Sequence, residues 1–136
     1  MSIKDLERSF NNAISAFGND GKIEDFYNFF DSDSLMINED IPFILDKESY
    51  KDHTEFLRKN MNNLEWVIRK PTFQIFDNTT GLVTADLTVR GKPNDQGFRQ
   101  RHSVLSCVCY LNDDKWKCGT LHTSAMLSHI NHASPG

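Results

Sequence analysis

The stretch Arg101–Ser128, RHSVLSCVCYLNDDKWKCGTLHTSAMLS, decides how the rest of the chain is read. β-branched, aromatic and cysteine residues alternate with polar ones on either side of Asn112-Asp113-Asp114-Lys115, the pattern of two antiparallel strands joined by a tight turn. With Asp113-Asp114 as a two-residue turn, Leu111 faces Trp116, Cys109 faces Cys118, Cys107 faces Thr120, Leu105 faces His122 and Ser103 faces Ser124. These side chains share one sheet face, apolar beside the turn and polar towards Ser124. That gradient suits a cone packed at its narrow end and wet at its mouth. The other face carries Val104, Ser106, Val108 and Tyr110 against Leu121, Thr123 and Ala125, small and apolar enough for a homodimer interface. A slip of one residue would exchange the two faces.

Upstream residues read as strands that pair with this hairpin and helices that cover it. Ile3, Leu6, Phe10, Ile14 and Phe17 recur at helical spacing behind Ser2, a good N-cap with Asp5 in the first turn, and Gly18 suits a left-handed stop. Ile23, Phe26, Tyr27, Phe29 and Phe30 predict a short aromatic helix halted by Asp31-Ser32-Asp33-Ser34. Leu35–Ile37 and Phe43–Leu45 read as short strands. Asp46 then caps a third helix with inner positions Tyr50, His53 or Thr54, Phe56 or Leu57, and Met61. From Leu64 the period changes to two. Trp66–Phe76 is a strand with an edge or bulge at Pro71, Val83–Val89 is a second, and residues 91–97 form a loop before strands Phe98–Leu111 and Trp116–Leu127. The predicted fold class is α+β: a curved antiparallel sheet of four main strands covered by three N-terminal helices, in one domain over residues 1–128 with a polar tail at 129–136.

The 136 residues, 38% hydrophobic with ten Phe, can fill a core without disulfides or metal. A net charge of −4 and no Lys/Arg run longer than two argue against nucleic-acid binding. No apolar run is long enough to cross a membrane as a helix. MSIKDLERSF has no apolar leader core, and three cysteines are an odd number, so reduced thiols in a cytoplasmic protein are expected.

Candidate chemistry follows from the hairpin. His122, beside Thr120 and Ser124 on the predicted inner face, is a candidate proton-transfer group. Asn38, Glu39 and Asp40 follow the first strand, where a carboxylate desolvated by Phe43 and Trp66 can abstract a proton; Asp40 is the candidate. Arg99, Arg101 and His102 form a basic cluster in which Arg101 can hold a carboxylate. Tyr27, Asn38, Trp66, Trp116 and Thr120 are expected to shape the pocket. Cys107, Cys109, Cys118 and His122 share the predicted face, but a Cys-x-Cys strand spreads its sulfurs by about 7 Å, so inert thiols are expected rather than a metal. No phosphate loop, nucleophile elbow or H-E-x-x-H motif occurs.

Phe17-Gly18-Asn19-Asp20 closing the first helix, Phe29-Phe30-Asp31-Ser32-Asp33-Ser34 leading into the first strand, and Trp116, His122 and Ser124 in a W-x5-H-x-S ending resemble the SnoaL-like, nuclear-transport-factor-two-like superfamily over residues 3–128. The resemblance implies a cystatin-like α+β barrel, usually a homodimer, with a pocket between sheet and helices and no cofactor. It also implies a small apolar or aromatic ligand bearing a carboxylate or carbonyl. The activity implied is that of a cofactor-independent lyase, isomerase or cyclase, or else non-catalytic ligand binding or protein association. The ketosteroid isomerase pattern does not carry over residue by residue. Its base falls on Asn38, its oxyanion tyrosine near Asn12 to Ile14, and its protonated aspartate near Cys107.

Overall fold

Ser2 starts the first helix as a reciprocal cap: its Oγ accepts from the Asp5 N–H at 3.3 Å, and its own N–H donates to Asp5 Oδ2 at 3.0 Å. The computed structural model describes residues 2–18, 20–39, 41–94, 97 and 99–125. Helix α1 is Ile3–Ala16, α2 is Ile23–Phe29, and strand β1, Phe30–Ile37, follows α2 directly. Strand β2 is Leu45–Asp46 and α3 is Lys47–Asn60, capped where Asp46 Oδ1 accepts from the Ser49 N–H at 2.8 Å. Strands β3 (Met61–Phe76), β4 (Thr80–Pro93), β5 (Arg99–Asn112) and β6 (Lys115–Ala125) complete the chain.

The strands form one open sheet in the order β2-β1-β6-β5-β4-β3. The four long strands β3–β6 are antiparallel neighbours as predicted; the short β1 and β2 complete the six-stranded sheet, with β1 running parallel to β6. The predicted stop at Asp31–Ser34 is part of β1: Ser34 is buried there while Ser32 and Asp33 face solvent. Residues 91–93, predicted as loop, extend β4 because Met61 and Asn62 pair with Pro93 and Lys92. Gly18 does not take up a left-handed conformation. Phe17 ends α1 in right-handed geometry, and a Cβ on Gly18 would lie 3.1 Å from the Leu64 carbonyl oxygen.

Helices α1 and α2 bury an aromatic face against the sheet. The Phe10 ring meets Phe29 and Phe73 edge-on, Phe17 lies 4.6 Å from Trp66, and Phe26 sits 5.0 Å from both Phe17 and Phe30. Each such contact adds about 0.5–1.5 kcal/mol beyond the area it buries.

Bulges bend the sheet and decide which residues face in. In β3, Asn63 (φ 55°) and Lys70 (φ 51°) are left-handed at the two places where pairing with β4 slips. The inward set therefore changes parity, from Leu64, Trp66 and Ile68 to Phe73 and Ile75. The irregularity predicted at Pro71 lies in the second slip, on an edge strand.

The same device corrects the hairpin. Pairing begins as predicted, with Leu111 opposite Trp116 and Cys109 opposite Cys118. It then slips at Gly119, so Val108 faces Thr120, Cys107 faces Leu121, Ser106 faces His122, Leu105 faces Thr123 and Val104 faces Ser124. A Cβ on Gly119 would lie 2.7 Å from the Tyr110 ring, so the ring packs onto the bare backbone at the bulge. Past this point the predicted faces of β6 are exchanged, while those of β5 stand. Leu121 and Thr123 are buried, and His122 is exposed with its Nε2 3.0 Å from Ser124 Oγ on the outer face.

Candidate pocket at the mouth of the cone

The inward residues of β5 run from Arg99 and Arg101, both exposed, through Ser103 to Leu105, Cys107 and Cys109, all buried. Polar chemistry thus lies at the end of the sheet away from the β5–β6 turn. A cavity of about 650 Å³ opens there. Its walls come from α3 (Tyr50, His53, Thr54 and Leu57, spaced along one helix face), from Met61, Leu64 and Trp66 of β3, and from Leu87 and Val89 of β4. Asn38, Glu39, Arg99, Arg101 and Thr123 complete the rim.

Glu39 is the best-held polar group. The Asn38 carbonyl accepts the Ile41 N–H at 3.0 Å, turning the chain immediately after β1. Glu39 Oε1 accepts from Ser103 Oγ at 2.7 Å, and Oε2 accepts from Thr123 Oγ1. Ser103 is wholly buried and Thr123 nearly so. Burial pushes the Glu39 carboxyl up. The hydroxyls of Thr123 and Ser103, a backbone N–H and the Arg101 charge together outweigh it, and the group stays below its ordinary range. It is therefore a fixed anion at neutral pH.

His53 is half-buried, and its Nε2 has no hydrogen-bond partner. Burial lowers its pKa, so the imidazole is neutral at neutral pH. Tyr50 is buried, and that burial raises its phenol pKa well beyond the usual range, so it stays protonated. The cavity thus joins a neutral imidazole, a phenol, a fixed carboxylate and arginines, with apolar walls between them.

Of the residues singled out from sequence, Asn38, Trp66 and Arg101 line this cavity. Tyr27 does not: it is buried on α2, and its hydroxyl donates to Glu55. Trp116 lies at the opposite, narrow end, beside Gly81 and a more open polar groove of about 730 Å³ between α1, α2 and the β5–β6 turn. Thr120 and His122 sit past the Gly119 slip, in the residues whose faces it exchanges. Asp40 lies outside the described residues. The three cysteines are buried, with Cys107 Sγ 3.0 Å from Cys118 Sγ and 3.4 Å from Cys109 Sγ, and among the described residues no group of side chains is arranged to hold a metal.

In sequence Glu39, His53 and Arg99 read as part of the turn after the first strand, a residue of the third helix and a member of the basic cluster with Arg101. The parity change at Gly119 was the missed signal, since an isolated glycine inside a strand marks a bulge.

Comparison with solved structures places this architecture. A Novosphingobium aromaticivorans protein named for scytalone dehydratase superposes with a TM-score of 0.80 at 11% identity, over 90% of this chain and 83% of that one. An NTF2-like protein from Cytophaga hutchinsonii gives 0.69 at 18% identity, over 91% and 95%. A type 2 hexachlorocyclohexane dehydrochlorinase, LinA, gives 0.76 at 8% identity, over 90% and 84%. No family model matches the sequence, and no curated protein matches it. The chain shares its α+β cone fold with these structures, an NTF2-like protein among them. No helix among the described residues is long and apolar enough to cross a membrane.

Proposed function

We propose that the protein binds a small, mostly apolar molecule in the mouth cavity and carries out cofactor-independent acid–base chemistry on it, as a lyase, isomerase or cyclase. One observation carries this reading: a neutral His53 and an ionised Glu39 line the same apolar-walled cavity of about 650 Å³. A neutral imidazole accepts a proton at neutral pH, and Tyr50 is a protonated phenol able to donate a hydrogen bond to a developing oxyanion. Glu39 is a poor base because its pKa is held down; its role is electrostatic, favouring the imidazolium that forms when His53 takes a proton. Dehydratase and dehydrochlorinase names among proteins of similar fold are compatible with proton abstraction coupled to loss of a leaving group.

The outer sheet face supports a homodimer as part of this reading. Leu35, Ile37, Val104 and Val108 are 45%, 37%, 42% and 43% exposed there, around the exposed His122. That is more apolar surface than a solitary sheet face needs.

The test is a thermal-shift screen of small carbonyl compounds, followed by turnover assays with any binder and with His53→Asn. Retained affinity with turnover lost at least ~100-fold supports catalysis through His53. Because burial lowers the His53 pKa, activity should persist as pH falls past 6.5 and decline only further into acid. An unchanged rate in His53→Asn refutes the assignment.

A further inference from the structure

All three cysteines of the chain come together at the narrow end of the cone. Cys107 and Cys109 are two residues apart on β5, and Cys118 on β6 stands directly opposite Cys109. All three are buried on the inner face. Cys107 Sγ lies 3.0 Å from Cys118 Sγ and 3.4 Å from Cys109 Sγ. Burial alone would leave such thiols inert; their mutual contact changes that. Backbone spacing decides which pair can bond. Cα atoms two residues apart on one strand are about 7 Å apart, at the limit for a disulfide, whereas directly opposed residues are about 4.5–5.5 Å apart, inside it. Hydrogen bonds with Cys107 and Cys118 hold the Cys109 thiol below its usual range, against the burial that raises it, so Cys109 carries the nucleophilic sulfur. The cluster sits behind the cavity wall: the Tyr50 phenol, whose pKa is raised first by burial, is pushed up further by Cys118 and Cys107.

We infer that Cys109 and Cys118 are a peroxide-sensitive pair that closes into a disulfide across the β5–β6 hairpin, with Cys107 left as the third thiol. The Cys109 thiolate attacks one oxygen of hydrogen peroxide, the O–O bond breaks, and Cys109 becomes a sulfenic acid. The departing hydroxide takes up the proton that Cys109 had released and leaves as water. The Cys118 sulfur then attacks the Cys109 sulfur, and its proton leaves with the sulfenic hydroxyl as a second water. Two thiols give up two electrons, and one peroxide receives them. Burial sets the choice of oxidant. Hydrogen peroxide is little larger than water and reaches the cluster through small openings of the fold, whereas oxidised glutathione is too bulky to meet the sulfurs until the chain unfolds. The inference stands on the thiol cluster and does not depend on the catalytic reading of the mouth cavity.

The test treats the full chain with hydrogen peroxide under native conditions, quenches it in acid, then unfolds and alkylates it for peptide mapping by mass spectrometry. The expected product carries a Cys109–Cys118 disulfide and an alkylated Cys107. The oxidised protein should melt roughly 5–10 °C above the reduced one, because the bridge closes a loop and constrains the unfolded chain. Oxidised glutathione should leave all three thiols free in the folded protein and react once urea is added. Cys107→Ala should still form the bridge, more slowly, while Cys109→Ala and Cys118→Ala should each keep both remaining thiols. The wild-type peptide map decides the question even where a variant fails to fold. Three free thiols after peroxide, a bridge from Cys107 to either neighbour, or sulfinic acid with no disulfide each overturn the inference. So do an oxidised form that melts no higher than the reduced one, and glutathione disulfide that reacts with the folded chain as fast as peroxide does.

Discussion

Replacing Glu39 with Gln removes the charge that holds the mouth together, and the cost can be worked from its partners. The carboxylate accepts two hydroxyl hydrogen bonds, from Ser103 and from Thr123, which are 0% and 6% exposed. A carboxamide has one accepting oxygen, so one of these buried hydroxyls loses its acceptor, at about 1–3 kcal/mol. The surviving bond also loses its charge assistance, but Glu39 is half-exposed and water recovers part of that loss. A net destabilisation of about 1–3 kcal/mol follows, roughly 3–10 °C in Tm for a chain of this size. The pH dependence is a separate check. Glu39 has a folded pKa below its ordinary 4.5, so its contribution is fully present above the unfolded pKa and is lost as pH falls through the folded one. Urea denaturation of wild type and Glu39→Gln, from neutral pH into the acid range, should show a gap that is constant near neutrality and closes below about 4.5. A Gln variant as stable as wild type at neutral pH, or a gap that persists unchanged into acid, refutes the reasoning. So would a more stable variant, since burial of the charge would then outweigh its hydrogen bonds.

Two further substitutions probe the closing hairpin. Asp113 and Asp114 both hold positive φ, 54° and 63°, where Asp-Gly is the favoured pair, so Asp114→Gly should raise stability by about 0.5–1 kcal/mol, read as a higher urea midpoint at unchanged slope. His122→Ala should leave ligand affinity and turnover within about twofold of wild type, because the imidazole is exposed on the outer face, hydrogen-bonded there to Ser124. A tenfold loss in either would mean that the β6 register is wrong.

The fold was legible because its signals are local. Ser2 with Asp5 and Asp46 with Ser49 mark two helix starts, and the aromatic spacing from Phe10 to Phe30 marks the faces that α1 and α2 bury. Alternation from Val83 to Val89 gives β4 its inner face, and Asp113-Asp114 gives the turn. What local signals could not supply was the partner of β1. Asp31-Ser32-Asp33-Ser34 looks like a stop to any propensity argument, yet it lies within β1, in the register shift between the Phe30–Cys118 and Leu35–Thr120 pairs with β6, with Ser34 turned inward. The site was legible by composition and not by position. The basic cluster around Arg101 and the acidic turn after β1 stood out in sequence, whereas Glu39 acquires its partners only from Ser103 and Thr123, which lie 64 and 84 residues further along. No spacing rule connects those three residues; the strand order does.

The Gly119 bulge shows how one residue redistributes chemistry. Without it, strict alternation would carry Trp116 and Cys118 on to His122 and Ser124 as inward neighbours of Leu105 and Ser103, and an imidazole would lie beside Glu39. The slip brings Leu121 and Thr123 inward instead. Glu39 then meets a small hydroxyl that donates one hydrogen bond and brings no charge, so the carboxylate remains a net anion near the Arg101 guanidinium. His53 becomes the one histidine among the described lining residues, held neutral by burial on the opposite wall. On the function proposed above, separation of the imidazole from the carboxylate would let one group accept a proton while the other fixes the electrostatics. A His122 facing inward would have merged the two roles into a single ion pair. The parity change at a glycine in mid-strand is therefore part of the design of the site, as the left-handed Lys70 is for the curvature of β3.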